Sequence, residues 1–207
     1  MTGWELALLL LAWAVAGGSP GPATLIISGT AMARGRVAGV VAGVGILCGS
    51  ASWGVASAMG MGAVMLSYAW FFTALKYAGA LYLGYLALQS FRSAWIGNAT
   101  KEQTALSGGL RMIFAKSLAI HLTNPKAILS WGAVFAIALP AGAPASEVFV
   151  LFAQLLSVSA LVFIGYGILF SNPWIVAGYR GARRVFEIGF GVLFGLASLK
   201  ILTTKVV

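Results

Sequence analysis

Two short proline clusters hold most of the chemistry this sequence can offer. Ser19-Pro20-Gly21-Pro22 and Thr123-Asn124-Pro125-Lys126 each sit inside a long apolar stretch, and Pro20 and Pro125 are 105 positions apart in a chain of 207 residues. Proline has no amide hydrogen and its ring clashes with the preceding turn, so each cluster breaks or kinks a helix. In hydrocarbon, each backbone group orphaned by such a break costs on the order of several kcal/mol until protein, water or a ligand satisfies it. Pro22 suits the first-turn position of a second half-helix, and Asn124 is a good N-cap with Pro125 following at that same first position. Both half-helices are therefore expected to present amides and the positive end of the dipole to the break, a receptor for a carboxylate. The segments ending at Gly17-Gly18 and Leu122-Thr123 are expected to offer carbonyls to an ammonium group. Together the breaks match the two poles of a small zwitterion.

Lys126 adds a full charge in mid-span, at a cost between ~3 and ~15 kcal/mol depending on the polar surroundings it reaches. It is either a functional group or a structural lysine that caps carbonyls of the opposing broken helix. His121, five residues earlier, is of the residue type whose free imidazole titrates near neutral pH, and is either a coupling residue or an ordinary hydrogen-bonded helix residue. No cysteine, aspartate or second histidine stands near it, so a metal site is not expected. Catalytic constellations are missing too: there is no carboxylate pair and no acid to orient a Ser–His pair. The chain has no aspartate, and Glu5, Glu102, Glu147 and Glu187 fall near span ends or in loops. A cationic substrate would lack a counter-charge, which favours neutral solutes. Proton coupling would fall to His121, Lys126, a peripheral glutamate or backbone carbonyls.

The elements that must position these residues are membrane spans. Hydrophobic residues make up 60% of the chain and charged ones 8%, against about 25% charged in a soluble globule, and mean hydropathy is +0.97. Charge-free runs cover 6–33, 37–75, 127–146 and 148–179, each long enough for the ~20 apolar residues a bilayer requires. This excludes a soluble enzyme, a secreted disulfide scaffold and a conventional nucleic-acid-binding domain. The fold class is an all-α polytopic membrane protein with spans at 4–33, 37–61, 73–92, 108–140, 147–170 and 184–203. Basic clusters at Arg34/Arg36, Arg92 to Lys116 and Arg180 to Glu187 alternate with neutral connections near 62–72 and 140–146. The positive-inside rule then puts the basic loops in the cytoplasm and both termini outside. The net charge of +9 is a topology signal and needs no polyanionic partner. Glu187 lies one helical turn beyond Arg183 and Arg184, where an ion pair along the helix is the plain expectation.

Spans 4–33 and 108–140 are too long for the ~30 Å hydrocarbon core, at about 45–50 Å if helical. Each contains one proline cluster and each opens a unit of three spans. Three being odd, the second unit enters the membrane in the opposite sense, the layout of an inverted repeat with a midplane site between broken helices. The chain is read as one transmembrane domain over 1–207, with repeat one at about 1–95, a cytoplasmic linker at about 96–107 and repeat two at about 108–207. Gly35, Gly39 and Gly43, then Gly45 and Gly49, and later Gly191 and Gly195 recur at four-residue spacing, which lets helix backbones approach closely in lipid. Cys48 is a small packing residue with no partner for a disulfide. The N-terminus, with Glu5 and no cationic leader, is expected to be a retained first span. The sequon at Asn98-Ala99-Thr100 lies in an expected cytoplasmic loop.

Ser19-Pro20-Gly21-Pro22, followed by Gly35-Arg36 and the glycine series to Gly49, resembles the start of the LysE/RhtB family of amino-acid exporters. Lys76, Gly79-Ala80, Tyr82-Leu83 and Tyr85-Leu86 are similar to that family's third span, and Asn124-Pro125-Lys126-Ala127 to its second signature. The resemblance implies a bacterial inner-membrane carrier that exports amino acids or related small zwitterions, by exchange with protons. It implies that Pro20, Gly21, Pro22, Asn124, Pro125 and Lys126 line or shape the site; from the residues themselves, the carbonyls and the Asn124 or Ser19 side chains are expected to bind the ammonium. Many relatives carry an acid shortly after the glycine series, where this chain reads Gly49-Ser50-Ala51-Ser52-Trp53. That departure leaves open both the substrate charge and the proton carrier, for which His121 and Lys126 are the candidates. The expected partners are the substrate, protons and the bilayer, with a homo-oligomer as a further option and no cofactor. A channel or uniporter for small solutes or anions, built on the same breaks, is the competing expectation.

Overall fold

The computed structural model describes residues 2–67, 69–96, 105–140 and 143–203. The described elements are helices: α1 (Gly3–Gly18), α2 (Pro22–Ser67), α3 (Ala69–Ile96), α4 (Leu110–Leu122), α5 (Pro125–Ala138), α6 (Ala145–Leu169) and α7 (Pro173–Thr203). Both proline clusters interrupt the chain where expected, between α1 and α2 and between α4 and α5. α1 opens on a capping box, in which Thr2 Oγ1 accepts from the Glu5 amide while the Thr2 amide donates to Glu5 Oε2 at 2.8 Å. Asn124 and Pro125 start α5 as their types dictate, with Asn124 Oδ1 accepting from the Lys126 amide at 3.1 Å.

The apolar helix Pro22–Met59 runs for 38 residues, about 57 Å at helical rise and far beyond one bilayer crossing. Gly35 resolves the excess. Its φ of 81° and ψ of 179° are non-helical, a conformation essentially reserved for glycine, and the helix folds back there. A Cβ added to Gly39 would stand 2.5 Å from the Ala31 Cβ, a contact impossible in a straight helix where these residues are two turns apart. α2 is thus a hairpin of a first arm, 22–34, and a second arm, 36–67. The loop expected at 34–36 is this glycine reversal, and Gly35 serves as a hinge instead of joining the packing face that its spacing suggested.

The other glycines of that series do pack, on two partners. A Cβ on Gly39 would come within 2.9 Å of the Gly167 carbonyl, and one on Gly43 within 2.7 Å of the Phe163 carbonyl, both on α6. Gly45 and Gly49 face α4, where the same test meets the Phe114 carbonyl at 2.6 Å and the His121 Cβ at 2.9 Å. The second arm is therefore clasped between α4 and α6. On the far side α3 packs on α7: Gly191 receives the Phe91 ring, and Ser198 Oγ donates to the Ala80 carbonyl at 2.8 Å.

α7 begins at Pro173, ahead of the expected 184, so the basic cluster at 180–184 lies on a helix and not in a loop. Glu187 is only 4% exposed and accepts from Ser93 Oγ of α3 at 2.9 Å. It is buried between two helices, which corrects its expected place at a span end. Its expected pairing with Arg183 involves a side chain outside the described ones, as do the linker residues Lys101 and Glu102. The strap at 105–109 is tied to the α2 hairpin, because the Leu106 amide donates to Thr30 Oγ1 at 3.1 Å and Arg34 donates to the carbonyls of Leu106 and Gly108.

The surface is that of a protein in lipid. α6 has a mean hydropathy of 2.4 with only 22% of its apolar stretch buried, and Leu88, Leu161 and Trp174 point outward. α1 and α5 are apolar helices shorter than the length a single crossing needs.

Candidate functional site

The broken helices bring the two proline clusters face to face. Lys126 Nζ, from the first turn of α5, donates to Ser19 Oγ in the α1–α2 break. It also lies 5.9 Å from the centre of the Phe194 ring, and a Cβ on Gly21 would sit 3.8 Å from it. Ser19 in turn donates to the Ala16 carbonyl at 2.8 Å. Ser19 and Asn124 are both buried, at 1% and 5% exposed. Residues 107 positions apart are thus joined through one charge-assisted hydrogen bond, the stronger class of such contacts.

This contact borders a partly open cavity of about 50 Å³, lined by both breaks and by α1, α2, α4, α5 and α6. Ser19, Gly21, Pro22, Asn124 and Lys126 line it, as does His121. Pro20 and Pro125 shape the breaks without facing it. The volume holds roughly three or four water molecules.

Backbone satisfaction differs from expectation. The carbonyls at the ends of α1 and α4 were expected to stand free, but long-range side chains reach them. Tyr166 of α6 donates to the Gly18 carbonyl, and Trp53 Nε1 of α2 donates to the Leu122 carbonyl at 3.2 Å. At the start of α5 the donors are also spoken for: Asn124 Oδ1 takes the Lys126 amide and the Asn124 carbonyl takes the Ala127 amide at 3.0 Å. At the start of α2, Thr24 Oγ1 accepts from the Gly21 amide at 3.1 Å and donates to the Ser19 carbonyl. No described residue accepts from the amides of Ala23 and Thr24, so α2 supplies the open helix N-terminus.

His121 is 4% exposed and its ring meets the Phe163 edge at 5.7 Å. Its Nδ1, and the Oγ of Ser117 one turn earlier, are buried without a hydrogen-bond partner among the described residues. Such groups cost about 1–3 kcal/mol each and call for an explanation.

Sequence reasoning missed the aromatic wall. Trp13 of α1 and Trp131 of α5 meet edge to face with centroids 4.7 Å apart. Trp13 Nε1 donates to Ser159 Oγ at 2.9 Å and Trp131 Nε1 to Ser50 Oγ at 3.0 Å. The available signal was position: each tryptophan lies six residues from its break, Trp13 before Ser19 and Trp131 after Pro125. Among the described residues no cluster of His, Cys, Asp and Glu is arranged to hold a metal ion.

The LysE type translocator family matches residues 15–205. The chain is similar to the threonine efflux protein of Escherichia coli, at 29% identity covering 85% of this chain and 86% of that protein. It is similar to the leucine efflux protein of an Enterobacter species, at 26% identity covering 84% and 82%. An uncharacterised membrane protein of Pseudomonas aeruginosa is 29% identical over 87% of this chain and 89% of its own. No solved structure matches significantly. A match over nearly the whole chain, including both proline clusters, places this protein in the LysE type translocator family, a family of transporters.

Proposed function

We propose that the protein exports small neutral amino acids or related zwitterions across the bacterial inner membrane in exchange for protons. The observation that carries this reading is the meeting of Lys126 and Ser19, one from each proline cluster, at a cavity lined by both breaks. Threonine and leucine efflux proteins among the relatives support an amino-acid substrate. The carboxylate displaces Ser19 from Lys126 and rests between that ammonium and the Ala23 and Thr24 amides at the positive end of α2. The freed Ser19 hydroxyl, with Asn124 nearby, then faces the substrate ammonium. With no carboxylate among the described cavity-lining residues, a cationic side chain has no partner there, which favours neutral substrates.

Alternating access comes from rocking of two inverted three-span units, about 1–95 and 108–207, around this site, with both termini outside. The packing pattern supports this division. α2 packs on α6 and α3 on α7, while α1 meets α6 as α4 meets α2, so exchanging the units maps these contacts onto one another. The proton is carried at His121, whose buried Nδ1 lacks a partner among the described residues beside the cavity.

Counterflow in proteoliposomes tests the reading. A carrier takes up labelled threonine or leucine faster when the lumen is preloaded with the same amino acid, and the rate saturates. Non-saturating flux with conductance would make the protein a channel.

A further inference from the structure

The Trp13–Trp131 pair closes the cavity beside the zwitterion-binding breaks, and nothing in the transport cycle proposed above uses it. Trp131 is 1% exposed and yet lines the cavity. Its Cα lies about 9 Å along α5 from Pro125, and helical side chains lean back toward the N-terminus. The indole therefore returns toward the break, at the distance a substrate side chain spans when the α-carbon groups are held by Lys126 and Ser19. Trp13 meets it edge to face at 4.7 Å. Neither ring is free to turn: Ser50, 3% exposed, takes the Trp131 N–H, and Ser159, 4% exposed, takes that of Trp13. Rigid indoles pinned by buried serines fix the depth of a pocket better than rotatable aliphatic groups do, because a hydrogen-bonded ring cannot rotate aside without stranding its donor.

We propose that Trp131, held by Ser50 and backed by Trp13, is the specificity-determining wall that limits the substrate side chain to small groups. This rests on the amino-acid export reading above. A cavity walled by a fixed ring beside both breaks accepts alanine- or threonine-sized side chains before leucine or phenylalanine. A methylene group in an apolar pocket changes discrimination by about 10–200-fold.

The test is counterflow of alanine, threonine, leucine and phenylalanine in competition, in proteoliposomes of wild type, Trp131→Phe and Ser50→Ala. Wild type favours alanine and threonine. Trp131→Phe, which shortens the wall, raises the leucine-to-threonine rate ratio about tenfold or more. Ser50→Ala keeps the ring but releases it, so the ratio moves in the same direction by a smaller factor. That variant decides the matter should Trp131→Phe fail to give a monodisperse protein. An unchanged ratio, with all four rates scaled alike, overturns the selector and leaves Trp131 a packing residue. Wild type carrying none of the four amino acids refutes the export reading itself, a separate outcome.

Discussion

Replacing Lys126 by methionine separates a substrate-binding lysine from a structural one, because the two roles predict opposite signs for stability. The substitution removes the donor to Ser19 and the cation near Phe194. A hydrogen bond to a charged group contributes about 1.5–3 kcal/mol, and a cation–π contact about 0.5–2 kcal/mol. Against this, a charge within the membrane costs about 3 kcal/mol at the least, and methionine fills most of the same volume without it. The terms nearly cancel, so the variant's melting temperature in detergent should stay within a few degrees of wild type or rise. Binding responds differently. If the substrate carboxylate accepts from Lys126, losing that contact at about 1.5–3 kcal/mol weakens affinity by roughly 10- to 150-fold. Measured as the half-saturation concentration for counterflow, that shift should appear at unchanged membrane insertion. Export within threefold of wild type would refute the reasoning, as would a melting temperature lowered by ten degrees or more, the mark of a structural cap.

Four further outcomes follow from the geometry. Gly43→Ala places a Cβ 2.7 Å from the Phe163 carbonyl and should cost about 1–3 kcal/mol by overpacking, read as a lowered melting temperature, while Gly165→Ala, with nothing within 4 Å, should be neutral. Gly35→Ala meets no neighbour within 4 Å, so any loss of stability, about 1–3 kcal/mol, isolates the strain of its backbone conformation. His121→Asn should leave amino-acid exchange intact and abolish the acceleration of efflux by a pH gradient; retained acceleration moves the proton to Lys126 or to the buried Glu187. Glu187→Gln keeps an acceptor for Ser93 and should preserve stability, whereas Glu187→Ala removes the hydrogen bond that joins α3 to α7 and should lower the melting temperature measurably.

The breaks were legible because proline acts locally: its missing donor and rigid φ disrupt a helix whatever surrounds it. The packing roles of Gly39, Gly43, Gly45 and Gly49 were equally plain, since small residues at four-residue spacing have one main use in lipid. Gly35 misled because its spacing continues that series, and a positive φ leaves no mark on spacing. The partners of the break carbonyls were out of reach for another reason. Tyr166 and Trp53 lie 148 and 69 residues from the carbonyls they satisfy, and only the tertiary fold joins them. Trp13 and Trp131 were overlooked because an aromatic residue in an apolar span looks the same whether it faces lipid, core or cavity. Glu187 was read against the arginines on its own helix, and its burial against α3 appears only once α7 is seen to begin at Pro173.

The central claim is that the two breaks form one amino-acid site in an exchanger. The most direct measurement is efflux from proteoliposomes loaded with a mixed amino-acid pool, with and without a pH gradient, followed by mass spectrometry. The expected result is selective loss of one or a few small neutral amino acids, faster with the gradient and slowed at least tenfold in Lys126→Met. Retention of the whole pool by folded, correctly inserted protein would contradict it.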